Sequence, residues 1–251
     1  MCSTHTKNID ICSMGLKCGF AVSTYHRNSQ RLPVFKTCID SIMTTKKQDS
    51  IVILVDDGSP VTGHLDWVIS TYPEITIVRK PENGGIARCK NTCLRELFEA
   101  DCDIFFLFDD DFALLTQIED KYTLALHEKD VSVLSGCTDY NAIIGPYTEN
   151  TVQTAILNGF LLCFSVQTFM EAGYFKIFPH KYGHEHTWYT KRIMNASGQT
   201  CFLDISDSAN FYRFTPIPSS MDEDQRLQEL VQNETYLCLY LSNLNYEACI
   251  E

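Results

Sequence analysis

No stretch of the chain approaches the eighteen or so consecutive apolar residues that a membrane span needs. The opening Met1-Cys-Ser-Thr-His-Thr-Lys7 also lacks the apolar core of a secretion signal. A soluble, cytoplasmic protein is the expectation. Basic residues are scarce: 20 Lys and Arg stand against 32 Asp and Glu, for a formal charge of −12. With a pI near 5.0, no basic face is available for nucleic acid. An anionic substrate would therefore have to be held by local cations or a metal. The 12 cysteines include no CxxC pair, so buried reduced thiols are expected rather than zinc sites or disulfides. Internal repeats and low-complexity linkers are missing as well. A length of 251 residues with 45% hydrophobic content suits one domain.

Against these absences one stretch stands out, Asp101-Cys-Asp-Ile-Phe-Phe-Leu-Phe-Asp109-Asp110-Asp111. Its five apolar residues, 104–108, are too few for a typical helix and rich in aromatics, which predicts a strand buried on both faces. Three carboxylates at the end of such a strand concentrate negative charge that cations must offset. Hard oxygen ligands of this kind suit Mg2+ or Mn2+, which keep open positions for phosphate oxygens.

Similar logic runs through the first half. Residues 1–18 have no clear periodicity, and an apolar run at 19–25 predicts the first strand. Pro33 and the spacing of Phe35, Cys38, Ile39, Ile42 and Met43 predict a helix. A second buried strand ends in Asp56 and Asp57; Leu65, Val68, Ile69 and Tyr72 mark the next helix, stopped by Pro73. A strand at 75–78 and a helix over Ile86, Cys89, Cys93, Leu94, Leu97 and Phe98 lead into the acidic strand. Four strands alternating with helices imply a parallel sheet covered on both faces, with ligands at the carboxyl ends of the strands.

The second half is less regular. It predicts a helix over 118–126, a strand at 131–134, a polar loop region at 135–158, a strand at 159–164 and a helix at 167–172. A helix from about Thr187 to Ala196 and terminal strands at 201–205 and 210–214 follow. Residues 221–251 read as a long helix whose stripe of Leu227, Leu230, Val231, Cys238 and Leu241 is expected to pack on the main sheet. The acceptor triplet Asn233-Glu-Thr235 is not expected to be glycosylated in a chain without a route to the secretory lumen.

The order of motifs resembles the GT-A fold of nucleotide-sugar glycosyltransferases, most closely the family-2-like inverting group. The resemblance spans roughly residues 19–200. It rests on Ser23-Thr-Tyr-His-Arg27, Val55-Asp-Asp-Gly-Ser59, Asn83-Gly-Gly-Ile-Ala-Arg-Cys-Lys-Asn91, the DxD motif Asp109-Asp-Asp111, and Gly183-His-Glu-His186 ahead of a helix. It implies a Rossmann-like α/β domain with a mixed, mainly parallel central sheet and helices on both faces. Residues 19–115 would form the nucleotide-sugar-binding half and 116–214 the acceptor-side half. The implied enzyme is a metal-dependent inverting hexosyl- or pentosyltransferase. It would move one sugar from a UDP- or GDP-sugar to a hydroxyl of a glycan or glycoconjugate, with Mn2+ or Mg2+ as cofactor.

Carried over position by position, the resemblance puts Thr24, Tyr25, Arg27 and Asp57 at the donor's base and ribose. It puts Asp109 near the ribose or metal, Asp110 in support at the donor, and Asp111 on the metal that bridges the phosphates. Arg88 and Lys90 add charge at a helix amino terminus that itself favours anions. The family carries Arg where this chain has Lys90, which leaves open which cation faces the donor. Downstream, the usual Glu-Asp pair is Glu185-His186. Glu185 is the expected general base, with a pKa that burial near Trp188 could raise; His186 is the alternative base, or a metal ligand or acceptor contact. Asn158-Gly159 precedes the strand that floors the acceptor side in the resemblance. The Gln-x-x-Arg-Trp motif of membrane-bound processive synthases is absent, which favours transfer of a single sugar. Two other readings are a sugar-nucleotide pyrophosphorylase, against which the first loop's lack of glycine speaks, and a non-catalytic glycan-binding remnant of the same fold.

Overall fold

A computed structural model describes residues 15–137, 139–214 and 227–234. The chain runs β1 (Cys18–Thr24), α1 (Leu32–Thr45), β2 (Ile51–Asp56), α2 (Gly63–Thr71), β3 (Thr76–Arg79), α3 (Ile86–Glu99), β4 (Ile104–Asp109) and β5 (Phe112–Leu114). It continues through α4 (Glu119–Leu126), β6 (Val133–Ser135), β7 (Ile143–Pro146), β8 (Thr151–Thr154), β9 (Leu161–Ser165), α5 (Val166–Ala172), α6 (Glu185–Ser197), β10 (Phe202–Ile205) and β11 (Tyr212–Phe214).

Alternation inside the apolar runs creates two cores, one on each face of a six-stranded sheet. In β4, Ile104, Phe106 and Phe108 join one core while Phe105 and Leu107 join the other. β2 divides likewise, Val52 and Leu54 on one side and Ile53 and Val55 on the other. Helices α1 and α2 cover the first face; α3, α5 and α6 cover the second. Fully burying a Phe, Leu or Ile stabilises by roughly 1.5–3 kcal/mol, so β4, with five such side chains buried on its two faces, contributes to both cores. Gly19 in β1 is required by close approach, since a Cβ there would lie 2.5 Å from both Cys102 Sγ and Leu97 Cδ2.

The strand order is β3-β2-β1-β4-β9-β6. β3, β2, β1 and β4 run parallel, and β9 is antiparallel to both β4 and β6. The chain leaves β1 toward β2 and β3, then returns to place β4 on the other side of β1. That reversal opens a crevice at the carboxyl ends of β1 and β4, the place where doubly wound sheets bind ligands. The described cysteines are all free, and all but Cys201 are buried. No helix among the described residues is long and apolar enough to cross a membrane.

Three expectations need correction. Residues 135–158 are not only loop: β7 and β8 form a hairpin that β10 joins as a small antiparallel sheet. Gly145 and Pro146 disguise β7, and they are tolerable there because β7 is an edge strand. β5 follows the acidic cluster at once and pairs with β11, too short for its periodicity to register. Of the C-terminal helix only residues 227–234 are described, and they are helical; Cys238 and Leu241 lie outside the described residues. Leu227 and Val231 are 58% and 54% exposed, so they do not pack on the main sheet. Leu230 instead meets Gly183. The unperiodic lead-in at 1–18 lies mostly outside the described residues, with Cys18 already in β1.

Candidate functional site

Two acidic clusters reach the crevice, and their side chains are held very differently. Asp56 is sealed. It accepts from the Ser59 hydroxyl and amide, and lies 3.2 Å from His64 Nε2 and 3.4 Å from Arg79 Nε. Burial alone would raise its carboxyl, but hydrogen bonds from His64 and Ser59 outweigh that and leave it below the usual carboxylate range. Asp57, expected at the donor's base, has both oxygens occupied. Oδ1 accepts from Lys80 Nζ at 2.5 Å and Gly84 N at 3.1 Å; Oδ2 accepts from Gly85 N at 2.9 Å. It folds the Asn83–Gly85 turn onto the end of β2.

In the second cluster the three aspartates divide their work. Asp109 Oδ1 lies 2.6 Å from Lys90 Nζ and accepts from Ser23 Oγ at 3.3 Å. Asp110 is buried, bonded by Thr24 Oγ1 at 2.6 Å and Arg31 Nη2 at 2.5 Å, with His26 Nε2 at 3.4 Å. Its pKa is about 2: burial pushes it up, and His26, Arg31 and Thr24 more than compensate. Asp111 is the exception. Its Oδ1 is buried without a hydrogen-bond partner. Burial, then the charges of Asp109 and Asp110, push its carboxyl up to about 7.

Behind the crevice, His26 and His64 stack with ring centroids 4.0 Å apart, and Phe35 meets both edge-on at 5.0 and 5.3 Å. The pair bridges Asp56 to Asp110 across β1. Sequence reasoning did not single out Arg31, His64, Lys80 or Asn91 for these roles; each sits on a loop or helix whose pattern signals only secondary structure. Asn91 brackets the backbone of Phe175, donating to its carbonyl at 3.0 Å and accepting from its amide at 2.7 Å.

The two cations expected at the start of α3 separate. Lys90 is 0% exposed and faces Asp109. Arg88 is exposed and lines a cavity of about 160 Å³. The same cavity is bounded by Gly85, Phe178, His180, Lys181 and Glu185. Thr24 is buried, Tyr25 half-buried and Arg27 exposed at the end of β1.

Glu185 begins α6 and is 5% exposed, facing that cavity. His186 does not compete with it for the same space. Its Nδ1 lies 3.0 Å from Glu185 Oε1, its ring meets Phe175 edge-on, and it fills the position a Cβ on Gly159 would take, 2.0 Å from that Nδ1. The expectation that burial raises Glu185 is not met. Burial does push upward, but the hydrogen bond and charge of His186 together with Glu185's own amide bring the carboxyl below its usual range. An ionised carboxylate fixed by an imidazole and facing a cavity can accept a proton.

Among the described residues no three His, Cys, Asp or Glu side chains converge as a metal cage. Asp109 and Asp111 nonetheless fit a hard divalent cation, because the orphaned oxygen of Asp111 and its raised pKa are both relieved by positive charge. Two carboxylates would leave the remaining positions to phosphate oxygens and water.

The family model described as "Glycosyl transferase family 2" matches residues 20–194. An uncharacterized glycosyltransferase, R363 of Acanthamoeba polyphaga mimivirus, is 27% identical over 208 residues, 79% of this chain and 81% of that protein. The mannosyltransferase PcManGT of Pyrobaculum calidifontis, solved with GDP-Man and Mn2+, is similar in fold at TM-score 0.60 and 17% identity. The similarity covers 92% of this chain and 65% of that one. GalNAc-T7 with UDP, GalNAc and Mn2+ gives TM-score 0.66 at 10% identity over 89% of this chain and 48% of that one. The chain thus spans about two thirds and about half of these two solved proteins.

Proposed function

Since the chain belongs to glycosyl transferase family 2 and is a glycosyltransferase of the GT-A fold, we propose that it moves one sugar from a UDP- or GDP-sugar to a hydroxyl of a glycan or glycoconjugate, inverting the anomeric carbon. The observation that carries this reading is the pairing of unlike acids at one crevice. Asp111 keeps an orphaned, charge-strained oxygen beside Asp109, while Glu185 faces the adjoining cavity. Family membership sets aside the pyrophosphorylase reading.

Thr24, Tyr25 and Arg27 line the donor end of β1, and Lys90 fixes Asp109 beside them. Asp57 acts through the Asn83–Gly85 turn, and Asp110 ties the aspartate loop to β1 and Arg31. Asp109 and Asp111 would hold Mn2+ or Mg2+, which supplies charge neutralisation for a departing nucleoside diphosphate. Glu185 takes the proton of the acceptor hydroxyl as its oxygen bonds to the anomeric carbon. The bond from that carbon to the phosphate oxygen breaks, and the electron pair leaves with the diphosphate. His186 Nδ1 orients Glu185 throughout. A single base on the face opposite the leaving group gives inversion.

Incubation with a panel of UDP- and GDP-sugars, Mn2+ and glycan acceptors tests the proposal. The expected result is nucleoside diphosphate release with a product of inverted configuration by NMR. A product of retained configuration, or no nucleoside diphosphate release with any donor, contradicts it.

A further inference from the structure

The loop that delivers Glu185 is held from outside the family-matched residues. Gly183 has φ +103° and His184 φ +66°, so two consecutive residues are left-handed. For His184 that conformation is costly and persists only where its surroundings enforce it. On one side stands the Asn83–Gly85 turn. Ile86 N donates to Lys181 O at 3.2 Å, Lys181 Nζ donates to Asn83 O at 2.7 Å, and a Cβ on Gly85 would lie 2.8 Å from Lys181 Cβ. On the other side stand the helical residues 227–234. Asn233 is 0% exposed, and its Nδ2 reaches the carbonyls of His180 at 3.2 Å, Tyr182 at 2.7 Å and Gly183 at 3.3 Å. Three acceptors around one amide settle which atom is nitrogen, since Oδ1 there would face only oxygens. A Cβ on Gly183 would lie 2.9 Å from Leu230 Cδ1, so the helix also closes over the loop sterically.

We propose that Asn233 is a positioning residue for sugar transfer: by donating to the carbonyls of His180, Tyr182 and Gly183 it holds the loop in the conformation that points Glu185 into the cavity. The inference rests on Glu185 as the base. The residues that hold the donor, Lys90, Asp109 and Asp111, lie on other elements, so loss of Asn233 acts on turnover rather than on donor binding.

The test compares Asn233→Ala and the nearly isosteric Asn233→Asp with wild type at pH 8. The readouts are kcat, donor KM, nucleoside diphosphate affinity and amide hydrogen exchange. Both variants should lose about tenfold or more in kcat, the scale of a small misplacement of a catalytic group. KM and affinity should stay within about twofold. Exchange should quicken across residues 180–186 and stay unchanged in β2. Asn233→Asp should be at least as damaging as Asn233→Ala, because it presents oxygens to three carbonyls; a packing role alone would make it the milder. Unchanged loop exchange, kcat within twofold of wild type, a milder Asn233→Asp, or exchange quickened throughout the sheet would each overturn the proposal. Wild-type protein that transfers no sugar would overturn the base assignment and its catalytic consequence, while the exchange data would still decide whether Asn233 holds the loop.

Discussion

The two acidic clusters at the ends of β2 and β4 look alike in sequence and differ in what their oxygens do. Asp56 and Asp57 are supplied with donors from Ser59, His64, Lys80, Gly84 and Gly85. The β4 cluster gives Asp109 and Asp110 their partners but leaves Asp111 Oδ1 with none. A saturated buried carboxylate shapes the backbone around it, while an unsaturated one stores a cost that a ligand can relieve. On the proposed reading the first cluster is structural and the second chemical, with Glu185, on its own cavity, as the proposed base.

The largest effect should come from Asp111→Asn. Removing its charge should lower turnover by roughly two orders of magnitude or more, the scale for losing a preorganised electrostatic contact. The melting temperature should not fall, since like-charge repulsion is relieved; near-normal turnover would erase the distinction between clusters. Glu185→Gln should lower kcat by roughly 100-fold with donor affinity retained, and His186→Ala should be milder, acting through the orientation of Glu185. The reverse ranking in steady-state kinetics would make His186 the base.

Asp57→Ala should act mainly on stability. It takes the carboxylate from Lys80 and the Gly84 amide, while Gly85 N keeps Asn83 Oδ1 at 3.0 Å, a loss of about 1–3 kcal/mol in denaturant unfolding. Weaker nucleoside diphosphate binding without destabilisation would return Asp57 to direct donor contact. The smallest effect is one of pH. Asp110 has its pKa depressed from 3.8 to about 2, so its stabilisation is present above about pH 4 and is lost as pH falls toward 2. The amount is about 2.5 kcal/mol. The difference in unfolding free energy between wild type and Asp110→Asn should shrink across that window, and a constant difference would show that its partners do not stabilise the ionised form.

Much of this architecture was legible beforehand, because doubly buried strands announce themselves: the runs at 51–55 and 104–108 carry no polar residue, and Pro33 opens a helix as expected. β5 and β7 were not legible, being a three-residue strand and an edge strand containing Gly145 and Pro146. At the site, the run of acids offered Asp109 and Asp111 as candidates and the family resemblance offered Glu185. Nothing in the sequence could show that Asp57 holds a turn, that Glu185 and His186 bond to each other, or that His26 and His64 stack. The first and the last depend on which side chains meet across elements tens of residues apart, and the second on how two neighbouring side chains turn at the start of α6.

Calorimetric titration of UDP and GDP, with and without Mn2+, into wild type and Asp111→Asn tests the division of labour between the clusters most directly. The account predicts Mn2+-dependent binding of one nucleotide to wild type and its loss in Asp111→Asn. Equal binding to both proteins, or wild-type binding indifferent to Mn2+, would contradict it.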